Sequence, residues 1–299
     1  FSYCALFPKD FEIEKASLIY LWIAQGYVVV PSDKGQTVED VGEEYFLILL
    51  RRCFFQDVRT NEHGEIISCK MHDLMHDVAQ EVAGKEIPQA SFMPSSSNDG
   101  IRHLFHLGQG KGTASLFTGG KIRTYLGVGK SGPESCMALG ALLNNWKSLR
   151  ALDLSWSRMT ELPSTLGNLL HLRYLDLSGN YQLEMLPNSI TKLHNLQFLF
   201  LAWCERLKEF PEKFGKLTNL RVLSMERCKR LRELPKDLGK LTDLRVLDTT
   251  ECKALAYMPR GIGNLSCLWN LPFLVLGEGT SSKEGGQLAD QIEEIKALN

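Results

Sequence analysis

The chain has no run of about 18 apolar residues, so no membrane-crossing helix is expected. It has almost no net charge: 34 Lys+Arg against 35 Asp+Glu leave -1 over 299 residues, which removes any chain-wide pull toward nucleic acid or membrane. None of its eight cysteines stands in a C-x-x-C pair. Cys4, Cys53, Cys69, Cys136, Cys204, Cys228, Cys252 and Cys267 therefore read as scattered buried thiols of a reducing compartment rather than a disulfide framework. There is no opening Met; Phe1-Ser2-Tyr3-Cys4 starts in mid-motif, as in a piece of a longer protein, so a missing signal peptide is uninformative. The glycine-rich stretch at 108–113, GQGKGT, lacks the Lys-Ser/Thr and following helix of a P-loop and reads as a plain loop. What is there is 44% apolar residues in a length that suggests about two domains.

The second half is periodic. Leu149, Leu172, Leu196, Leu220, Leu244 and Leu268 open similar segments, the first step being 23 residues and the other four 24. Each segment reads L-x-x-L-x-L, then Asn or Cys, then a Leu-Pro-like pair, then G-x-L. This is the leucine-rich-repeat signature, within its usual length of roughly 20–29 residues. L-x-x-L-x-L is a short strand with its leucines turned inward. One repeat cannot bury them alone, so stacked repeats are expected to share a parallel sheet on a concave face. Asn180, Cys204, Cys228 and Cys252 fall where the chain turns inward. Cysteines at one phase admit a metal or redox site; a ladder of small buried residues bonded to neighbouring coils is the favoured reading.

Alternation then predicts which strand residues face outward: Ala151, Asp153, Ser155; Tyr174, Asp176, Ser178; Phe198, Phe200, Ala202; Val222, Ser224, Glu226; and Val246, Asp248, Thr250. A further column, Trp156, Gly179, Trp203, Arg227 and Glu251, runs just beyond. Tyr174, Phe198, Phe200 and Trp203 should form an aromatic patch, for which a partner and a lid from the same protein are equally sensible covers. With Arg227 these are the candidate partner-binding residues. The stripe Arg150, Arg173, Arg221 and Arg245 reads as a solvated edge. "IRHLFHL" at 101–107 and "IRTYLGV" at 122–128 read as degenerate early coils, and "LADQIEEIKALN" at the end as a short amphipathic segment.

Residues 1–92 have another texture. A helix over 16–25 stops at Gly26, with Leu18, Leu21 and Trp22 on one face. Thr37-Val38-Glu39-Asp40 opens a second helix like a capping box, with a Val38, Val41, Tyr45, Leu49 stripe. Segments 54–58 and 66–70 flank a turn at 61–64, a β-hairpin. A third helix over 73–83 is closed by Gly84. Helices plus a hairpin suggest a winged helix. Eight Lys+Arg against 15 Asp+Glu in residues 1–92, a net -7, argue against DNA binding. His72 and His76 stand at i, i+4, but Asp73 replaces the Glu of a zinc protease and no third ligand is evident. The competing reading puts His76 on the helix surface and His72 near the helix N-terminus, where anions are favoured and Asp73 can cap.

The Phe1-x-Tyr3-Cys4-x-x-Phe7-Pro8 run with Trp22, then Met71-His72-Asp73, then repeats such as "LPSTLGNLLHLRYLDLSGN" and the closing "LPFLVLG" together resemble plant nucleotide-binding, leucine-rich-repeat disease-resistance proteins of the coiled-coil class. The resemblance covers nearly the whole chain in family order. It implies an α+β winged-helix domain over 1–92, a linker with degenerate first repeats over 93–148, and an α/β leucine-rich-repeat solenoid over 149–276 with a parallel sheet on its concave face. Residues 277–299 would be a flexible insertion and the start of further repeats. It also implies an intracellular immune receptor held off by ADP, with His72 contacting the ADP phosphates beside Met71 and Asp73. Exchange of ADP for ATP would release an oligomer that triggers defence and local cell death. The partners implied are a pathogen effector or guarded host protein at the repeats, the receptor's own nucleotide-binding core, and further copies of itself, with no direct nucleic-acid contact. The setting implied is cytoplasmic, with plasma-membrane or nuclear association on activation. The P-loop, the acidic metal-binding motif and the coiled coil are absent from these residues. The chain is therefore expected to be no enzyme, and to bind no nucleotide tightly alone. A binding scaffold without a nucleotide switch, and a hydrolase using His72, His76 and Asp73 or Asp77, are the alternatives.

Overall fold

A computed structural model of the chain describes residues 1–30, 35–88, 100–107, 121–128 and 136–271. The loop expected at 108–113 and residues 277–299, with the expected insertion and closing amphipathic segment, lie outside these residues. No described helix is long and apolar enough to cross a membrane.

The first unit is built as its sequence dictates. Helix α1 (Lys15–Gln25) ends where Gly26 takes the left-handed conformation, φ 80°, that returns its N–H to Ile23 and Trp22 carbonyls. Helix α2 (Val38–Arg51) starts with a complete capping box. Thr37 Oγ1 accepts from Asp40 N at 3.2 Å, and Asp40 Oδ2 accepts from Thr37 N at 2.9 Å. The buried face of α2 is Val41, Gly42 and Phe46 rather than the expected stripe, and Tyr45 is exposed. The reason is close helix approach. A Cβ on Gly42 would stand 2.6 Å from Ile19 Cγ2, so α1 lies directly over Gly42 and turns that face inward. Strands β1 (Ile13–Glu14), β2 (Phe55–Thr60) and β3 (Ile66–Met71) form an antiparallel sheet in the order β1-β3-β2. Helix α3 (Asp73–Ala83) follows β3 directly.

The second unit is one parallel sheet. Strands β4 (His103–Leu107), β5 (Thr124–Val128), β6 (Ala151–Asp153), β7 (Tyr174–Asp176), β8 (Phe198–Phe200), β9 (Val222–Ser224) and β10 (Val246–Asp248) lie in simple sequence order. The expected early coils thus join the sheet as β4 and β5. Leu152, Leu175, Leu199, Leu223 and Leu247 pair in register across five strands, all fully buried. From β6 onward each return path is a single 3-10 turn, as at Ser164–Asn168 and Asn188–Lys192, while helix α4 (Cys136–Asn145) packs beside the first of these. The glycine of each G-x-L lets coils touch: a Cβ on Gly167, Gly215 or Gly239 would lie 2.3–2.5 Å from a carbonyl oxygen of the next coil.

The inward-turning column is a hydrogen-bond ladder, not a metal site. Asn180 Nδ2 donates to Leu154 and Leu177 carbonyls, and its Oδ1 accepts from Met159 N. In the next coils Cys204, Cys228 and Cys252 donate Sγ–H to the carbonyls of Leu177, Leu201 and Met225 at 3.0–3.3 Å. Burial pushes the Cys204 thiol up to about 12, so it stays a protonated donor.

Candidate functional site

The Met71-His72-Asp73 segment sits where β3 hands over to α3. Phe54 O accepts from His72 N at 3.0 Å, which pins the segment to the strand beside β3. Met71 is buried in the domain core. The helix cap is His72 rather than Asp73: its backbone is extended and its Nδ1 accepts from Leu74 N at 3.2 Å. An imidazole that accepts at Nδ1 carries its proton at Nε2. The exposed ring therefore presents one N–H donor beside a helix N-terminus. His76 departs from the expected surface position. Its ring turns inward to the Phe7 carbonyl, Nε2 to O 3.0 Å, so the two histidines diverge. Among the described residues no group of three or more His, Cys, Asp and Glu is placed to hold a metal.

The two units share one apolar cluster. Leu18, Trp22 and Ile23 of α1 are buried together with Leu126, Ala151, Tyr174, Phe198 and Val222 of the concave sheet. Tyr20 stacks on Phe198 with centroids 4.6 Å apart, while Phe7 and Phe11 meet Phe105 edge-on at 5.8 and 5.1 Å. Tyr174 and Phe198, expected to face a partner, are thus 2% and 0% exposed beneath the winged helix. Phe200 keeps partial exposure at the margin, 6.0 Å from Tyr20. Alternation identified the outward direction correctly; it carried no information that another domain lies there.

The arginine stripe is a clamp, not a solvated edge. Arg150 and Arg173 donate to the Gln25 and Ala24 carbonyls at the C-terminus of α1, at 2.5 and 3.5 Å. These carbonyls have no helical partner and carry the negative end of the dipole. Arg221 and Arg245 both reach Glu39 in the first turn of α2, at 2.6 and 3.5 Å. On the far side of Arg150, at β4 and β5, lies a polar knot: Thr124 Oγ1 meets Gln25 Nε2 at 3.0 Å, His103 Nδ1 at 2.9 Å and Tyr3 Oη at 3.2 Å. Burial, with Arg123, Arg102 and Arg150 nearby, pushes His103 down to about 3, so it is neutral.

Beyond α1 the sheet carries two carboxyls, Asp153 and Asp176, with no basic partner among the described residues. Asp153 and Asp176 each accept from the N–H two residues on, at 2.7 and 2.8 Å. Burial raises both, and the like charge of Asp153 with that of Glu14 helps push Asp176 to about 7. The outermost column remains uncovered. Trp156, Trp203, Arg227 and Glu251 all have positive φ, 55–62°. Inter-coil hydrogen bonds such as Trp156 N to Ser178 O and Trp203 N to Glu226 O fix that geometry. The Arg227 guanidinium lies 4.1 Å over the Trp203 ring and pairs with Glu251 at 2.8 Å. Trp156, half exposed, stands 6.3 Å from Trp203 across Gly179.

Comparison with known proteins decides the family. Residues 6–79 match the model for the disease resistance protein winged helix domain, and residues 133–258 match that of a leucine-rich repeat region. The chain belongs to the plant disease-resistance protein family. It is 34% identical over 173 residues to the disease resistance protein RGA2 of Solanum bulbocastanum, covering 57% of this chain and 15% of the relative. It is 31% identical over 187 residues to the disease resistance protein RPP13 of Arabidopsis thaliana, covering 60% and 21%. The chain thus spans about a fifth or less of the curated relatives it matches. A solved neighbour, the Leptospira interrogans leucine-rich-repeat protein LIC12759, aligns at a TM-score of 0.30 and 19% identity over 64% of this chain and 65% of its own. In this disease-resistance chain His72 falls inside the winged-helix match, and Tyr174, Phe198, Phe200, Trp203 and Arg227 inside the repeat match. Neither matched family is catalytic.

Proposed function

We propose that this chain is the regulatory and recognition part of an intracellular plant immune receptor, which senses a pathogen effector or a guarded host protein through its repeats. One observation carries the reading: the winged helix and the concave sheet share a single apolar core and an arginine clamp. A partner that displaces one unit must therefore disturb the other, which is the physical requirement for coupling two sites.

ADP, in the full-length parent, is the implied ligand on the winged-helix side. The residues fit it in one specific respect. His72 offers an exposed Nε2–H beside a helix N-terminus, a donor suited to a phosphate oxygen. Met71 anchors that corner in the core, and Asp73 stands in the first turn of α3 beside it. Bound ADP would supply a charged bridge between the winged helix and the receptor's nucleotide-binding core. Loss of that bridge favours the released form, which assembles with further copies of itself. The setting we propose is the cytoplasm, with plasma-membrane or nuclear association on activation, and no direct nucleic-acid contact.

The test uses the full-length parent in leaf tissue without a pathogen. Asp73→Val is expected to cause cell death where wild type does not. A loss of about 1–3 kcal/mol from the resting state moves the population roughly 5–150-fold toward activity. No death, with both proteins accumulating equally, overturns the nucleotide-held off state and leaves a binding scaffold without a switch.

A further inference from the structure

The winged helix covers Tyr174 and Phe198 but stops short of the outermost column of the concave face. There the chain keeps bulky side chains on a backbone that favours glycine. Trp156, Trp203, Arg227 and Glu251 are left-handed in four coils, and only the intervening coil uses glycine, Gly179. A left-handed non-glycine residue is disfavoured by roughly 1 kcal/mol or more, so a run of them points toward use rather than economy.

The column is a stack in which each member supports the next. The Trp156 ring packs against the bare Cα of Gly179, where a Cβ would stand 2.3 Å from the ring. Trp203 follows at 6.3 Å, Arg227 covers Trp203, and Glu226 and Glu251 hold Arg227 at 3.5 and 2.8 Å. A guanidinium on an indole, held by carboxylates, is therefore already present once. At Trp156 the arrangement is incomplete. The indole is 50% exposed, and carboxylates stand close in the chain at Asp153 and, one coil on, at Asp176. Their Oδ1 atoms are occupied by the N–H groups of Ser155 and Ser178, and no basic side chain is paired with either among the described residues.

We propose that this column docks an arginine-bearing segment of a protein partner, the incoming guanidinium stacking on Trp156 as Arg227 stacks on Trp203. The proposal rests on the recognition reading above and names the chemistry of its partner. Charge selects the occupant. Arg227 is the cation of the column and is already taken by Glu226 and Glu251, which leaves the unpaired carboxyls of Asp153 and Asp176 to favour a cation over an acidic segment. Arginine is preferred to lysine because its plane stacks on an indole while its edge forks to a carboxylate.

The test needs only this chain and two probes, an acetylated Gly-Ser-Arg-Ser-Gly amide and its citrulline counterpart, which keeps the shape and loses the charge. Indole N–H signals of the isotope-labelled chain are followed on titration, with Trp156 assigned by Trp156→Phe. The arginine peptide is expected to shift the Trp156 signal and bind about tenfold tighter than the citrulline peptide, the scale of one such contact. Trp156→Ala and, independently, Asp153→Asn should each weaken it severalfold while the β-sheet amide signals stay in place. Affinity should rise from pH 6 to pH 8 as Asp176, which faces Asp153 on β6, Glu14 before α1 and the Tyr174 hydroxyl on its own strand, loses its proton. Equal binding of the citrulline peptide, or indifference to Asp153→Asn in a folded chain, overturns the proposal. The leaf assay reports on the nucleotide side and this titration on the repeat side, so either can fail alone.

Discussion

The carboxyl pair on β6 and β7 makes one substitution unusually informative. Asp176 faces Asp153 from the adjacent strand, Glu14 from the N-terminus of α1, Tyr174 Oη at 3.4 Å, and Ser178 N, which donates at 2.8 Å. No cation offsets burial and the two like charges, so its carboxyl rises from 3.8 to about 7. The sign follows directly. A carboxyl raised in the folded state adds stability below its unfolded value near 4, and that contribution is lost as pH rises through about 7. At about 1.4 kcal/mol per tenfold change in proton affinity, the full displacement is about 4 kcal/mol; the water that still reaches this edge reduces it to about 2. Asp176→Asn keeps the acceptor for Ser178 N and removes the charge. It should raise the melting temperature by about 3 °C at pH 8 and leave it nearly unchanged at pH 4, for a chain of this size. Thermal melts of both proteins across that range check it. A variant no more stable than wild type at pH 8 would refute the claim that Asp176 is ionised at a cost.

Other perturbations bear on the remaining parts of the argument. Glu39→Gln leaves Arg221 and Arg245 without their carboxylate and should weaken docking of α2 by about 2 kcal/mol, read as faster amide exchange at its first turn. Thr37→Ala removes the Oγ1 acceptor of the capping box while keeping the backbone N–H that donates to Asp40, and should cost about 1 kcal/mol in a denaturant titration. Leu199→Ala, fully buried at the middle of the sheet, should cost about 2–5 kcal/mol, seen as an earlier unfolding midpoint. Gly179→Ala places a methyl 2.3 Å from the Trp156 ring at φ 72°, so it should drive the indole off the column and change its fluorescence at a cost of about 1–3 kcal/mol.

Local physics was readable from the residues. Gly26 as a stop, Thr37 and Asp40 as a start, the in-register leucines and the Cys ladder all depend on neighbours within one turn or one repeat, where spacing determines contact. What was not readable depends on the far side of a surface. Periodicity shows that Tyr174, Phe198 and the four arginines point away from the solenoid core, and is silent on whether water or α1 meets them. The cap on α3 failed for a subtler reason: Asp is the commoner cap, but His72 precedes it with extended backbone and a ring nitrogen already in reach. Gly42 was the overlooked signal in α2, since a glycine inside a helix often marks close approach, here against Ile19.

The arginine clamp has a mechanical consequence. Its four teeth rise from the coils of β6, β7, β9 and β10, so the outer pair is separated by four strand spacings, about 19 Å. They close on two points of a rigid helical pair, the end of α1 and the start of α2, whose separation does not follow the solenoid. A change in solenoid curvature alters the pitch of the teeth while the grip points stay fixed. The winged helix is thus fastened to one radius of curvature, and flattening or tightening the arc anywhere along it works against the clamp.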